Sequence, residues 1–322
     1  MTYWANKRVL VTGAGGFVGG NLAKGLVDVG ADVLVLLREY HPRTTLSLLG
    51  IDRSVHVVHG DLVDQALLER VLNEHQIGHV FHLAAQALVG VANHSPVSTF
   101  ESNVRGSWSL LEACRRIGVE SVVVASSDKA YGAQEQLPYH ESAPLLGIHP
   151  YDASKACTDI LARSYAKTYQ MPVVVTRNAN IYGPADLNFS RIVPDAIRCA
   201  LRRQPLLIRS DGKMSRDYMF VDDAVNGYLR LGVAATQMAG RAFNFGTQIA
   251  TTTLEMVEKI GRIVPNAPPP QILGTAKYEI PAQILDATAA RTELGWTAAT
   301  DLDAGLRETV GWYREHMDVV GQ

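Results

Sequence analysis

The chain has 322 residues, of which 47% are hydrophobic and 19% are charged, a composition typical of a folded globular protein with a large core. Its 30 Lys and Arg residues nearly balance its 32 Asp and Glu residues, so the net charge of −2 indicates neither a nucleic-acid-binding surface nor a membrane-surface patch. No apolar run approaches the roughly 18–20 residues of a membrane span, and a strand begins so early that we expect no signal peptide.

The first half of the chain alternates short β-branched segments with segments that are apolar at helical spacing. Because the hydrophobicity of the β-branched segments is continuous, we expect strands buried on both faces. A long helix from about Tyr151 to Gln170 then leads into a sixth strand, PVVVTRN. The pattern predicts the α/β class, with a doubly wound parallel sheet and helices on both faces. The first five strands are RVLVTG, DVLVLL, HVVHGDL, HVFHLAA and SVVVASS.

The pattern changes after Asn178, where short elements replace the regular alternation. A further strand and helix, YMFVDDAVNGYLRLG, again resemble the first half, and a proline-rich stretch and a final helix follow. We therefore predict a larger domain formed by residues 1–178 with about 217–246. Residues 179–216 and 247–322 are expected to form a smaller, interleaved C-terminal lobe.

A glycine-rich segment joins the first strand to the first helix. Gly13, Gly16 and Gly19 have the spacing G-x-x-G-x-x-G. Glycines there let the backbone turn tightly and approach a pyrophosphate at the positive end of the helix. We therefore predict that the larger domain is an NAD(P)-binding Rossmann domain.

Positions after the second and third strands bear on the choice of cofactor. Arg38, alone or with Arg43, favours NADP because a guanidinium can bind its 2′-phosphate. Glu39 means that NAD is also possible, because a carboxylate can accept hydrogen bonds from the ribose hydroxyls of NAD. Asp61 in GDL either accepts a hydrogen bond from the adenine amine or caps the following helix.

The segment YDASK places Tyr151 and Lys155 at i and i+4 on one helix face. A lysine ammonium near a phenol lowers the phenol's pKa, so the phenolate can take a proton from a sugar hydroxyl as hydride leaves the carbon. The same lysine can hold the nicotinamide ribose. A Tyr–Lys pair at this spacing also occurs by chance, so its position at the start of the helix after the fifth strand carries the argument.

At this point the sequence resembles the extended short-chain dehydrogenases/reductases, the family of NAD-dependent nucleotide-sugar epimerases and dehydratases. Eight motifs appear in the family's order, and the resemblance runs essentially end to end. It implies a triad of Ser127, Tyr151 and Lys155, in which Ser127 bonds the sugar C4 oxygen and Tyr151 is its base. The motifs are TGAGGFVG, GDL, HLAAQ, SSDKAYG, YDASK, RNANIYGP, RDYMFVDD and NFG. The cofactor-binding residues implied beside the glycines, Arg38, Asp61, Tyr151 and Lys155 are Phe17, Val18, Leu62, Leu83, Ala84 and Ala85.

The segment SSDKAYG distinguishes the subfamilies. Epimerases of this family usually have small or neutral residues after the triad Ser, whereas 4,6-dehydratases have an acid followed by a base. Here these residues are Asp128 and Lys129, as in CDP-glucose-type 4,6-dehydratases. After oxidation at C4, Asp128 is the candidate acid at O6 and Lys129 the candidate base at C5, and hydride returns to C6. The alternative is an exposed turn with a surface ion pair, which would contribute little.

The resemblance also implies contacts with the nucleotide sugar. Asn180 and Arg216 lie where the family contacts the diphosphate, and a guanidinium suits phosphate geometry. Arg191 is a candidate for holding the nucleotide, and Gln86 lies near the expected site. The arginines could instead be solvated surface residues. The segment YGPADLNFS departs from the CDP-glucose enzymes, so the nucleobase and the hexose stay open.

Two polar residues of the larger domain are expected to be structural. We predict that His82, inside a strand segment, is a hydrogen-bonded core histidine, and that Asn103 supports the fold near the site. The three cysteines lack C-x-x-C spacing and predict reduced thiols in a cytoplasmic protein, without disulfides or a metal site.

The first functional hypothesis is an NAD(P)-dependent lyase, an NDP-hexose 4,6-dehydratase that forms an NDP-4-keto-6-deoxyhexose. The alternative is an isomerase, an NDP-sugar 4-epimerase that uses the same triad. A non-catalytic cofactor-sensing protein is a third class, but such proteins typically lack the Tyr–Lys pair. In this family the helical segment SPVSTFESNVRGSWSLLEACRRIG and the helix that begins near Tyr151 would form a four-helix dimer interface, so we expect a homodimer. We expect it to bind neither nucleic acid nor membrane.

Overall fold

The computed structural model describes residues 2–39, 41, 43–275 and 280–320. Its main sheet has seven parallel strands in the order β10-β6-β5-β4-β1-β2-β3. The predicted α/β class with a parallel sheet is confirmed, and the six predicted strands are its first six in the chain. These strands are β1 (Arg8–Thr12), β2 (Asp32–Leu37), β3 (His56–His59), β4 (His79–His82), β5 (Ser121–Ala125), β6 (Val173–Asn178) and β10 (Ala242–Phe245).

Helices cover both faces of this sheet, and α5 and α6 are joined through a π-helical turn, Glu101–Arg105. β5 and β6 are buried along their whole length, as their continuous hydrophobicity predicts. Val9 and Val11 pack in one hydrophobic cluster and Leu10 in another, because successive side chains point to opposite faces of a strand. The helices are α1 (Phe17–Asp28), α2 (Thr45–Leu48), α3 (Gln65–Glu74), α4 (Val89–His94), α5 (Pro96–Phe100), α6 (Gly106–Ile117), α7 (Pro150–Tyr169) and α9 (Val221–Ala234).

The remaining elements belong mainly to a second, smaller assembly with its own core. In it, β9 pairs with β7, β11 and β13, while β8 pairs with β12. Tyr182, Ile197, Phe220, Met256 and Leu306 pack in its hydrophobic cluster. Its strands are β7 (Asn180–Tyr182), β8 (Leu207–Ile208), β9 (Ser215–Phe220), β11 (Ala250–Thr252), β12 (Gln271–Ile272) and β13 (Ala282–Gln283). Its helices are α8 (Ile192–Leu201), α10 (Thr253–Ile263), α12 (Leu302–Glu315) and α13 (Met317–Val320). The helix α11 (Thr288–Leu294), which the sequence predicted in the smaller lobe, instead packs on α9 and β10 and adds Ala290 to the core of the larger domain.

The return of the chain to the main sheet begins later than the sequence suggested. We expected residues from about 217 to belong to the larger domain, but β9 lies in the smaller sheet. α9 packs on the main sheet and β10 joins its edge. Pairing with β7, β11 and β13 places β9 there, and such pairing cannot be read from a single strand segment. The division into two lobes is a proposal, supported by the separation of the seven-stranded sheet from the four-stranded and two-stranded sheets.

No helix within the described ranges combines the length and the apolar character that crossing a membrane requires. Those same residues include no group of three or more His, Cys, Asp or Glu side chains arranged to hold a metal ion.

Candidate active site

One cleft of about 1900 Å³ lies at the carboxyl ends of the main-sheet strands and extends to the smaller lobe. The strand order reverses between β1 and β4, and the loops after both strands line the cleft. This is the position at which doubly wound folds bind ligands. All of the predicted cofactor, catalytic and substrate residues line it, including the three glycines, the Ser127–Lys129 segment and the four arginines Arg38, Arg43, Arg191 and Arg216.

The glycine-rich loop is shaped by close backbone packing. Gly13 has a φ of +79°, and a Cβ built on it would lie 2.6 Å from the backbone nitrogen of Ala84 in the loop after β4. A Cβ on Gly19 would lie 2.3 Å from the carbonyl oxygen of Gly13. Glycine is therefore required at both positions for the turn to form against the next loop.

The start of α1 fits a dinucleotide phosphate. Gly16 is the N-cap, no side chain of the described residues caps it, and Gly16, Phe17 and Val18 line the cleft. The N–H groups of a first helical turn have no partners inside the helix, and they favour an anion at that end. The residues present therefore fit the pyrophosphate of NAD(P).

The structure distinguishes between the two roles predicted for Asp61, contact with the adenine amine and capping of the following helix. The N-cap of α3 is Asp64, which accepts a hydrogen bond from the backbone N–H of Leu67 at 3.0 Å. Asp61 lines the cleft and accepts from the backbone N–H of Val63 at 3.1 Å. Its alternative role as a helix cap is therefore wrong, while contact with the adenine amine stays a prediction.

Arg38 and Glu39 lie side by side at the rim of the cleft. Arg38 Nε donates to Glu39 Oε1 at 3.0 Å, and both side chains are largely exposed. The guanidinium that would bind a 2′-phosphate is thus already beside a carboxylate that would repel that phosphate.

The segment after β5 forms a short 3₁₀ turn, Asp128–Tyr131, with Ser127 as its N-cap. Ser127 Oγ accepts from the backbone N–H of Lys129 at 3.2 Å and donates to Asp128 Oδ1 at 3.0 Å. Asp128 is only 4% exposed, and Lys129 Nζ lies 4.0 Å from its Oδ2. Burial of this carboxylate in the cleft argues against an exposed turn with a surface ion pair.

Tyr151 and Lys155 enter the same part of the cleft from α7. Lys155 Nζ donates to the carbonyl oxygen of Ala125, at the end of β5, at 2.7 Å. Burial lowers the pKa of Lys155 to about 8. Burial also raises the pKa of Tyr151 to about 12, opposed by a hydrogen bond with Ser127 and reinforced by the charge of Asp128.

The structure does not show the lowered phenol pKa that the Tyr–Lys spacing suggested, because burial raises the pKa of Tyr151. Burial outweighs the neighbouring groups that would favour a phenolate, so the phenol of Tyr151 stays protonated at neutral pH. Sequence spacing places the two residues correctly, but it does not report how deeply the phenol is buried.

Two groups next to Lys129 were absent from the sequence prediction. Gln283, in the two-residue strand β13, accepts a hydrogen bond from Lys129 Nζ through its Oε1. Asp152 is buried beside Tyr151; burial raises the pKa of its carboxyl and the charge of Lys129 lowers it. Asp152 lies inside YDASK and could have been noticed, whereas nothing in the local sequence indicates Gln283.

The predicted substrate residues form the far wall of the cleft. Arg191 donates to the buried Asp186 at 2.9 Å, and Asp186 is a further cleft residue that the sequence prediction missed. Arg216 donates to the backbone carbonyl of Ser215 at 2.8 Å, and Asn180 lies in β7 beside it. These cationic and amide groups face the same opening, as a diphosphate site requires.

Gln86 is held in place by the predicted support residue. Asn103, in the π-helical turn, accepts from the backbone N–H of Gln86 at 2.6 Å and donates to its carbonyl oxygen at 3.1 Å. It also donates to Ser154 Oγ at 2.9 Å, which links the loop after β4 to α7. The structural role expected for Asn103 is therefore confirmed.

His82 is buried beneath the site and bonds to two hydroxyls. Its Nδ1 lies 2.8 Å from Thr12 Oγ1 and its Nε2 lies 2.8 Å from Ser107 Oγ. Burial, with a smaller effect of the charge of Lys155, lowers the pKa of His82 to about 3. The imidazole is therefore a neutral core group, as expected.

Comparisons with known proteins agree with this arrangement over nearly the full chain. A model of the NAD dependent epimerase/dehydratase family matches residues 9–246. A probable dTDP-glucose 4,6-dehydratase of Sinorhizobium fredii is 30% identical over 329 aligned positions, covering 96% of this chain and 93% of the relative.

Solved structures similar to this chain include both kinds of enzyme. One is a dTDP-glucose 4,6-dehydratase from Streptomyces venezuelae with NAD and TYD bound, with a TM-score of 0.88 and 30% identity, covering 97% of this chain and 98% of that one. Another is a UDP-glucose 4-epimerase from Thermotoga maritima with UDP-glucose, with a TM-score of 0.89 and 29% identity, covering 96% and 99%. The similarity therefore extends to both lobes.

Proposed function

The chain belongs to the NAD-dependent epimerase/dehydratase family, and from that premise we propose that it is a nucleotide-sugar 4,6-dehydratase. Its product would be an NDP-4-keto-6-deoxyhexose. The observation that carries the proposal is the position of Asp128 and Lys129, an acid and a base in the cleft directly after Ser127. Epimerisation at C4 needs neither group, whereas removal of water across C5 and C6 needs both.

Each of the proposed catalytic residues in the cleft has a role in this reaction. NAD(P), when bound, would take hydride from C4 and return it to C6. Ser127 hydrogen-bonds the C4 oxygen, and Tyr151 passes on the proton that this hydroxyl loses. The C4 ketone makes the C5 hydrogen acidic, so Lys129 in its neutral form removes it while Asp128 in its acid form protonates O6.

The groups that would hold the substrate are those of the far wall. Arg216 and Asn180 are proposed to bind the diphosphate and Arg191 the nucleotide, with Gln86 near the sugar. The Asp186 carboxylate already fixes the Arg191 guanidinium, which lowers the entropy lost when a nucleotide binds. The resemblance to CDP-glucose-type enzymes stays a prediction, and the similar proteins named above act on dTDP- and UDP-sugars.

The cofactor residues fit NAD and NADP through the same glycine-rich loop. The NADP preference that Arg38 suggested stays a prediction, and the Glu39 carboxylate weakens it because it would repel a 2′-phosphate. A relative solved with NAD supports NAD as the cofactor here. Lys155 is proposed to hold the nicotinamide ribose, since its Nζ lies at the end of β5 beside Tyr151.

The second candidate is an NDP-sugar 4-epimerase, and it is favoured by similarity to a UDP-glucose 4-epimerase of nearly the same fold. It would use Ser127, Tyr151 and Lys155 alone. On that hypothesis the acid–base pair Asp128–Lys129 would have no chemical task, although it is placed inside the cleft.

Two substitutions test the proposed function. Asp128→Asn and Lys129→Met should each abolish formation of the 4-keto-6-deoxy product and leave NAD(P) binding intact, because both residues lie in the turn after β5 and the glycine-rich loop lies at the start of α1. The matched controls are Asp303→Asn and Lys259→Met, which change an exposed ion pair outside the cleft. Near-normal turnover in both cleft variants would refute the assignment.

Assembly and location are also proposed. Apolar side chains are exposed on the helices α5, α6 and α7, among them Val97, Trp108 and Ile160, and this supports a homodimer built on these helices. Sedimentation at equilibrium would measure the dimer.

The cysteines Cys114, Cys157 and Cys199 are all free thiols, which supports a reducing, cytoplasmic location.

A further inference from the structure

The groups proposed for oxidation and for elimination are hydrogen-bonded to one another. The phenol of Tyr151 hydrogen-bonds the Ser127 side chain, and Ser127 Oγ donates to Asp128 Oδ1 at 3.0 Å. A continuous path for a proton thus runs from the base assigned to C4 to the acid assigned to O6. Hydroxyls can pass protons along such a path because each is both a donor and an acceptor.

The two ends of this path differ in their need for a proton. Burial raises the pKa of Tyr151 to about 12, so its phenol can take up the proton of the C4 hydroxyl only by giving its own to the hydrogen-bonded Ser127. Asp128 accepts a hydrogen bond from Ser127 and faces the Lys129 ammonium at 4.0 Å, an arrangement that suits a carboxylate. Asp128 therefore has room for one proton.

We propose that Ser127 relays a proton from Tyr151 to Asp128 as the C4 hydroxyl is oxidised, so that this oxidation converts Asp128 into the acid that later protonates O6. This inference rests on the proposed function, because it assigns the path that the proton follows in that reaction. Tyr151 and Ser127 each receive one proton and give up another, and Asp128 is the final acceptor.

The relay balances every proton of the reaction. The C4 oxygen loses its proton to Tyr151, Tyr151 gives its own to Ser127, and Ser127 gives its own to Asp128. Asp128 then delivers that proton to O6 as the C6–O6 bond breaks, and water leaves. Lys129 takes the C5 proton and later returns one to C5. NAD(P), when bound, would carry the C4 hydrogen with its electron pair to C6, so that the net change in the substrate is the loss of one water.

The geometry also links the relay to Lys129. Protonation of Asp128 removes the negative charge 4.0 Å from the Lys129 ammonium. The ammonium then loses part of its electrostatic stabilisation and releases a proton to solvent, to which its side chain is 23% exposed, and this leaves the neutral amine required at C5. After it has returned a proton to C5, the amine takes one proton back from solvent, so the balance closes. The hydrogen bond to Gln283 continues to hold the side chain in position.

A substrate without O6 isolates the first half of the reaction. With dTDP-6-deoxyglucose, or the same sugar on whichever nucleotide the enzyme accepts, C4 can be oxidised but no water can leave. A single-turnover measurement of the near-ultraviolet absorbance of reduced nicotinamide then reports oxidation alone. Asp128→Asn should slow this oxidation about 100-fold, the contribution of a general base, whereas Asp303→Asn, at an exposed carboxylate outside the cleft, should stay within about threefold of the wild type.

A second variant guards against a purely structural effect. Asp128→Ala leaves space beside Ser127, and added formate should restore part of the lost oxidation rate by supplying a carboxylate there. Thermal melting of both Asp128 variants checks that they are folded. Oxidation of the probe by Asp128→Asn at the wild-type rate would overturn the relay, as would equal slowing by the control Asp303→Asn.

The outcome separates the relay from the proposed function. A wild type that oxidises the probe but dehydrates no NDP-glucose would contradict the dehydratase assignment. The oxidation rates of the Asp128 variants with the probe would still test the relay in that case. A wild type that dehydrates NDP-glucose while Asp128→Asn oxidises the probe normally would contradict the relay alone. A wild type that does neither would contradict both.

Discussion

Replacing Arg177 by Met tests how the turn that carries Asp128 and Lys129 is held in place. Arg177 lies in β6 and is 1% exposed, yet it makes four hydrogen bonds to three groups. Two go to Asp159 at 2.8 and 3.0 Å, one to the hydroxyl of Tyr131 at 2.8 Å and one to the carbonyl oxygen of Glu141 at 2.9 Å. Burial opposes the guanidinium charge, but the ion pair with Asp159 outweighs it and raises the pKa of Arg177.

The expected loss of stability follows from what remains after the substitution. Breaking a buried ion pair by removing one partner costs about 3–5 kcal/mol, because it leaves a buried charge without its counter-ion. Asp159 would still accept a hydrogen bond from the half-exposed Arg163 at 2.7 Å, so we expect the lower end, about 3 kcal/mol. Tyr131 would also lose a donor, so turnover should fall along with stability.

The assay is urea unfolding of Arg177→Met beside a matched control. Arg163→Met removes the other arginine that bonds Asp159, but its side chain is 39% exposed, so it should cost no more than about 1 kcal/mol. The double variant Arg177→Met, Asp159→Leu should recover much of the loss, since no charge is left buried. Equal effects of the two single arginine variants would refute the reasoning.

Three further predictions concern the cofactor loop, the core and the rim of the cleft. Gly19→Ala places a Cβ 2.3 Å from a carbonyl oxygen of the loop and should weaken NAD(P) binding about tenfold, which corresponds to about 1.4 kcal/mol. The control Gly261→Ala has open space around the new Cβ and should bind NAD(P) normally, and calorimetric titration compares the two variants. The pKa of His82 is about 3 in the folded protein and 6.5 in the unfolded chain, so its contribution to stability is complete above pH 6.5 and is lost as pH falls towards 3. At pH 5 the free energy of unfolding should be about 2 kcal/mol lower than at neutral pH from this group alone. Unfolding of His82→Asn measured over the same pH range should not show this decrease. Glu39→Ala frees Arg38 and should shift the ratio of NADP to NAD affinity towards NADP; an unchanged ratio would show that Arg38 does not reach the 2′-phosphate.

The features predicted well from sequence are those fixed by local chemistry. The glycine spacing places Gly13 against the loop after β4, and the Tyr151–Lys155 spacing brings both side chains to the cleft, because a turn and a helix determine these positions. The order of motifs along the chain also placed all the predicted residues around one opening, since the carboxyl ends of parallel strands share one edge.

The features missed depend on contacts between distant segments. Gln283 bonds Lys129 across 154 positions of sequence from a strand of two residues, which leaves no periodic pattern to read. Arg177 is read from sequence only as the polar end of a strand, although burial makes it a support of the catalytic turn. The high pKa of Tyr151 likewise comes from burial, which the spacing of Tyr151 and Lys155 does not reveal.

The central claim is that the acid–base pair after Ser127 makes this protein a dehydratase. The most direct measurement is the mass and NMR spectrum of the product formed from dTDP-, CDP-, UDP- and GDP-glucose with NAD(P). We expect at least one of them to lose one water and to show a C4 ketone with a C6 methyl group. A product of unchanged mass that is inverted at C4, or loss of water with none of the four, would contradict the claim.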